Sequence, residues 1–191
     1  MEDFYVSTLE EHFGPGYKSQ LVADEAVIPY EDLRHVAVLH WGFDGKSHQG
    51  ELIVHRELSA EVVEIFQELY ERRFPIEKMR LVSTYGYSDD LSMADNNSSG
   101  FNYRTVLSTG RLSWHAFGCA IDINPLVNPY ILSDGEILPV NGSSYTDRNQ
   151  SVMGMIHEGS DILEIFQSRG WTWGGEWEHI KDYHHFEKPL K

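Results

Sequence analysis

The chain has 191 residues, of which 41% are hydrophobic and 13% aromatic, enough to bury a core as one domain without staples. Its 30 acidic residues against 15 basic ones leave a formal net charge of -15, a balance that repels nucleic acid and anionic membrane surfaces. A single cysteine, Cys119, excludes an internal disulfide and a cysteine-built metal site, and no apolar run is long enough to span a bilayer.

Residues 1–30 are mixed in character and broken by Gly14-Pro15-Gly16, and read as an arm wrapped on a domain of residues 31–191. The opening residues lack a basic stretch followed by an apolar core, so no signal peptide is expected in the chain as it stands. Residues 33–41 alternate around Val36 and Val38, Phe43 to Lys46 form a turn, and residues 50–55 return as the second strand of a hairpin.

A helix follows. Ser59 is its expected N-cap, Val62, Val63, Phe66, Leu69 and Tyr70 share one face, and Pro75 ends it. Residues 79–84 read as a strand. Residues 85–111 and 133–150 read as long polar loops, the first anchored by Phe101, Tyr103 and Val106. Turns are expected at Asn124-Pro125 and Asn128-Pro129. Ser160 is placed to cap a short helix that carries Ile162, Leu163, Ile165 and Phe166 and ends at Gly170. Strands and helices mix without a βαβ rhythm, which predicts an α+β fold.

Two separated segments carry metal-ligand chemistry: Ser113-Trp-His-Ala-Phe-Gly-Cys-Ala-Ile-Asp122 and Asp182-Tyr-His-His-Phe186. Two imidazoles and a carboxylate suit a catalytic zinc, which keeps an open fourth position, whereas a structural zinc is closed by four ligands. His115 and Asp122 would stand roughly 23 Å apart on a strand and roughly 10 Å apart on a helix, so the chain must fold back between them, with Gly118 placed to allow it. Beyond the bend, Cys119, Ile121 and Ile123 would share one strand face, and Ala120, Asp122 and Asn124 the other. Cys119 reads as a buried small residue.

Asp182 and His185 are expected on one side of a tight turn or helical segment, with His184 pointing elsewhere. Other readings stay open on spacing alone. Any one of the 10 histidines can be a hydrogen-bonded structural residue, and Asp182 can pair with Lys181 or Lys188 on a solvated surface. No contiguous His-Glu-x-x-His motif is present.

The pattern Ser113-x-His115-x-x-Gly118-x-Ala120-x-Asp122, followed by Asp182-x-x-His185-Phe186, resembles the zinc D-alanyl-D-alanine peptidase family. That family includes VanY-type carboxypeptidases, VanX-type dipeptidases and phage L-alanyl-D-glutamate endopeptidases, and shares its fold with the amino-terminal domain of hedgehog proteins. The segments Asn96 to Arg104, Ala120 to Pro125 and Gly170 to Gly175 are also similar to the carboxypeptidase-like branch, so the likeness runs over roughly residues 30–189.

The resemblance implies a hedgehog/DD-peptidase-like domain, with a central, mostly antiparallel sheet flanked by helices. It makes His115, Asp122 and His185 the ligands of a Zn2+ ion and Asp182 the catalytic base, a position where other branches carry Glu. An arginine near the metal assists catalysis in the family. Tyr85-Gly-Tyr-Ser88 offers none, which leaves Arg104 as the candidate, either on the oxyanion or on the substrate carboxylate. Ser113, Tyr103 and Trp173 fall on the substrate side, with Trp177 beside Trp173 as a cleft wall. His184 stands where relatives often have proline, and Glu176 where they often have aspartate.

The implied activity is hydrolysis of bacterial cell-wall peptides, first as a D-alanyl-D-alanine carboxypeptidase. Its partner would be a peptidoglycan stem peptide or another D-Ala-terminated peptide, a substrate that points to the cell envelope or the exterior. An L-alanyl-D-glutamate endopeptidase and a zinc-bearing binding module without catalysis are the alternatives. An acidic interaction protein without a metal is the remaining one.

Overall fold

The computed structural model describes residues 3–20, 27–106 and 110–190. Parts of the expected arm (residues 1–2 and 21–26) and of the first loop (residues 107–109) lie outside the described residues. The fold is α+β. Among the described residues its mostly antiparallel strands are distributed over three three-stranded sheets and one parallel pair.

In the hairpin, β2 (Leu33–Trp41) has the expected bounds and β3 (Ser47–His55) starts three residues earlier than expected, with Leu33 opposite His55 and Trp41 opposite Ser47. β1 (Tyr5–Thr8) adds to β2, and α1 (Leu9–Phe13) starts in a reciprocal cap between Thr8 and Glu11. The described part of the arm is therefore built into the sheet. Leu9 and Tyr17 pack with Leu33, Ile53 and Leu81 in a small second core.

α2 (Arg56–Glu71) begins one turn earlier than expected. His55 is the N-cap and accepts from the Glu57 amide at 3.2 Å, while Ser59 lies inside the helix and donates to the Arg56 carbonyl. An imidazole nitrogen serves as a cap acceptor just as a hydroxyl does, which the usual cap preferences do not flag. Leu58, Val62, Ile65, Phe66 and Leu69 form its buried stripe, whereas Val63 and Tyr70 lie at the margin.

The expected strand over 79–84 reduces to β4 (Lys78–Met79) followed by a 3-10 turn, Val82–Tyr85. The expected first loop also holds regular structure. Ser88 caps α3 (Asp89–Ala94), and β5 (Asn97–Ser98) runs parallel to β4. A helix of six residues is too short to announce itself by periodicity.

β6 (Ala120–Asp122) pairs with β11 (His185–Glu187), which also pairs with β9 (Thr172–Trp173). β7 (Tyr130–Ile131) lies between β8 (Ile137–Leu138) and β10 (Lys181–Asp182). α4 (Asp161–Gln167) follows Ser160, whose hydroxyl donates to the His157 carbonyl instead of capping the helix. Its Ile162, Ile165 and Phe166 join Ile121, Ile123, Phe186 and the α2 stripe in the main core. Phe166 stacks on Phe186 with centroids 4.1 Å apart. The core thus backs directly onto the strands that carry Asp122 and His185. Among the described residues no helix is long and apolar enough to cross a membrane.

Candidate active site

His115 sits in a 3-10 turn, Trp114–Phe117, which Ser113 opens by accepting the His115 amide on its hydroxyl at 3.3 Å. Gly118 then takes a φ of 67°, and a Cβ there would lie 2.6 Å from the His55 amide nitrogen. Glycine alone makes this fold-back cheaply. It brings Asp122 directly opposite His185 in the β6–β11 register.

The three side chains converge on one point. His115 Nε2 and His185 Nδ1 each lie 3.0 Å from Asp122 Oδ1, and the two nitrogens are 3.2 Å apart. Each imidazole has its outer nitrogen engaged: His115 Nδ1 with the Gly100 carbonyl at 2.6 Å, and His185 Nε2 with Glu187 Oε2 at 3.0 Å. A carbonyl and a carboxylate only accept, so the outer nitrogens carry the hydrogens and the inner ones present lone pairs.

Two lone pairs and a carboxylate aimed at one buried point repel one another unless a cation lies between them. A proton on His185 can serve as that cation, and the shifts of Asp122 and His185 have the sign this requires. Burial opposes charge on both Asp122 and His185, yet neighbouring imidazoles hold Asp122 well below the usual carboxylate range. Hydrogen bonds to Asp122 and Glu187 lift His185 to about 10.

A tetrahedral ion with bonds of about 2.0–2.1 Å sets neighbouring donors about 3.3 Å apart. The observed spacings of 3.0 to 3.2 Å fit that edge. A second group, His12, His35 and Glu51, shows the contrast. Its imidazoles stack at 3.5 Å and 15°, which sends their in-plane lone pairs side by side, whereas His115 and His185 tilt by 57°.

Of the three, His185 lines a cleft of about 670 Å³ together with Ser113, Trp114, Trp177, Asp182 and His184, and His115 and Asp122 lie buried behind it. Asp182 is on β10 opposite Tyr130, and His185 is on β11. The two reach one cleft through a bend at residues 183–184, not through the expected helical segment. Neither lysine neighbour takes Asp182: Lys181 donates to the Gly175 carbonyl at 3.0 Å and Lys188 to Glu61 at 2.8 Å. Gly174 leaves the room, since a Cβ there would lie 2.8 Å from Asp182 Cβ.

His184 corrects an expectation. It stays clear of the three converging donor atoms, yet it does not point away. Its Nε2 is 3.0 Å from Asp182 Oδ1 and 3.9 Å from Asp122 Oδ2. The first contact lacks hydrogen-bond geometry, so Oδ1 is a buried oxygen with no donor. Burial works against the His184 cation, but the Asp182 and Asp122 charges prevail and raise it to about 9.

Arg104 lies across the same group, Nε 3.1 Å from Asp89 Oδ2 and Nη2 3.4 Å from Asp122 Oδ2. Burial disfavours its charge, and Asp89, Asp122 and Asp182 restore it. Along residues 100–104 alternate positions serve the site: the Gly100 carbonyl, the Asn102 amide on the His115 carbonyl at 3.2 Å, and Arg104. Phe101 and Tyr103 face the other way into a small separate cavity with Leu81 and Tyr87, so Tyr103 is not on the cleft. Trp173 is not on it either. It is 2% exposed in the core and donates to the Tyr183 carbonyl at 2.9 Å, while Trp177 forms the wall with its ring 5.5 Å from that of His185.

Sequence reading missed Glu187, Asp89 and the contact of His184 with Asp182. Glu187 had a signal, because positions two apart on a strand share a face. The other two depend on how distant segments meet.

Residues 107–188 match a family model described as D-alanyl-D-alanine carboxypeptidase, and that segment includes His115, Asp122, Asp182 and His185. No curated protein and no solved structure matches the chain. The buried His-Asp-His group lies wholly inside the matched segment, and over that segment the chain is similar to the D-alanyl-D-alanine carboxypeptidase family of peptidases.

Proposed function

We propose that this protein is a zinc peptidase of bacterial cell-wall peptides that releases the terminal D-alanine from a D-Ala-D-Ala stem. The observation that carries the reading is the convergence of three donor atoms, 3.0 to 3.2 Å apart, one of them on His185 in the wall of a cleft that Asp182 also lines. Zinc held by His115, Asp122 and His185 would lower the pKa of a bound water to about 7 and polarise the scissile carbonyl.

The chain's own residues supply the rest. Gly100 and Glu187 fix both imidazoles with their inner nitrogens toward the ion. Asp182 takes the proton of the attacking water and passes it to the departing amine. Arg104 keeps a positive charge beside Asp122, where negative charge develops on the substrate oxygen. Ser113 steadies the His115 turn and lines the cleft, with Trp177 as its aromatic wall.

A second reading, an L-alanyl-D-glutamate endopeptidase, is favoured by the size of the cleft, about 670 Å³, which leaves room for chain on both sides of the scissile bond. Mass spectrometry of products from defined stem peptides, with and without a zinc chelator, separates the two. Loss of one D-alanine, abolished by chelation, is expected. A cut between L-Ala and D-Glu moves the assignment to the second reading. Chelator-resistant cleavage, or none, overturns both.

A further inference from the structure

We propose that His184 is a positioning residue for Asp182, held in place by a hydrogen-bond chain that starts in the 140–156 segment. This rests on the reading of Asp182 as the base. The chain begins at Arg148, whose Nη2 donates to Asn128 Oδ1 at 2.7 Å, and the Ile156 amide donates to the same oxygen at 2.8 Å. The Asn128 side chain also donates to the carbonyls of Ile123 and Gly154 at 3.2 and 2.9 Å. Fully buried, and held by donors and acceptors alike, Asn128 cannot turn.

Its backbone carbonyl accepts His184 Nδ1–H at 2.7 Å. That bond fixes the ring orientation, because a flip would leave the carbonyl facing carbon. Nε2 is thereby set 3.0 Å from Asp182 Oδ1, the carboxylate oxygen that has no hydrogen-bond donor. The imidazole is the polar side chain against that oxygen, and it decides where the carboxylate rests. A merely structural histidine needs one partner; this one spans from Asn128 to the carboxylate. The 140–156 segment thus bears on the base without touching substrate.

The test compares His184→Leu, which keeps side-chain bulk without a polar nitrogen, with His184→Gln, whose amide nitrogen can stand in for Nε2. Both are assayed zinc-loaded on a D-Ala-terminated peptide, with metal content by elemental analysis. His184→Leu should lower kcat roughly 10- to 100-fold. KM and one zinc per chain should be kept, and His184→Gln should recover most of the loss. In thermal unfolding, the Tm losses of His184→Leu and Asp182→Asn should be non-additive by about 2 °C or more.

Wild-type kcat in His184→Leu, glutamine no better than leucine, zinc lost in step with kcat, or additive Tm losses each overturn the proposal while the peptidase reading stands. No cleavage by wild-type protein overturns the peptidase reading, and the positioning role with it.

Discussion

Gly174→Ala should slow the enzyme without emptying its metal site. A Cβ at 174 would lie 2.6 Å from the Asp182 carbonyl oxygen and 2.8 Å from Asp182 Cβ, where ordinary contact begins at 3.4 Å. Something must therefore move by 0.8 Å (3.4 − 2.6) at the backbone and 0.6 Å (3.4 − 2.8) at the side chain. Retreat of residue 174 is hindered, because its neighbour Gly175 already lies against the Trp173 ring and Trp173 is tied to the Tyr183 carbonyl. Asp182 takes much of the displacement. A misplacement of about 1 Å can cost roughly 100-fold in rate, so a fall in kcat of roughly 10- to 100-fold is expected. His115, Asp122 and His185 are not touched, so zinc content should remain at one per chain. Steady-state kinetics on a D-Ala-terminated peptide, with elemental analysis of the same sample, reads both. Gly174→Ala protein that folds and turns over at the wild-type rate would refute the reasoning.

Glu187→Ala removes the acceptor that orients His185, and zinc affinity measured against a competing chelator should weaken by roughly 10- to 100-fold, with Glu187→Gln in between. Unchanged affinity in the alanine variant would contradict this. Burial pushes the Asp95 carboxyl up, but bonds from Lys78 and Tyr85 outweigh it and hold the carboxyl below its ordinary value. A depressed folded pKa gives stability that is present above the unfolded value of about 3.9 and lost as pH falls through the folded one. Asp95→Asn should therefore flatten the fall of Tm below about pH 4, and an unchanged acid slope counts against the assignment. Burial lifts the Cys119 thiol to about 11, so a thiol reagent at pH 8 should label it only after unfolding. Rapid labelling of native protein would be inconsistent with the core placement of Cys119.

Local chemistry was legible where one segment determines it. Gly118 between two ligand-type residues announced the fold-back, and the alternation of Cys119, Ile121 and Ile123 announced a buried strand. What could not be read was set by contacts between segments. Trp173 and Trp177 look alike in sequence, yet the 3-10 turn Gly174–Glu176 sends one into the core and the other onto the cleft. Tyr103 and Arg104 are neighbours on an extended stretch and so face opposite ways, but which face meets the His-Asp-His group depends on where Gly100 packs against Ile53. His184 was set aside because His185 occupies the ligand position. Its partner Asn128 sits 56 residues away, just ahead of β7 in the chain, where no spacing argument reaches.

The central claim is tested most directly by zinc stoichiometry and hydrolysis measured on the same preparations of wild type, His115→Ala and Asp182→Ala. One zinc per chain with cleavage in the wild type, neither in His115→Ala, and zinc without cleavage in Asp182→Ala is the predicted pattern. Full hydrolysis by Asp182→Ala, or zinc retained at wild-type affinity by His115→Ala, would contradict it.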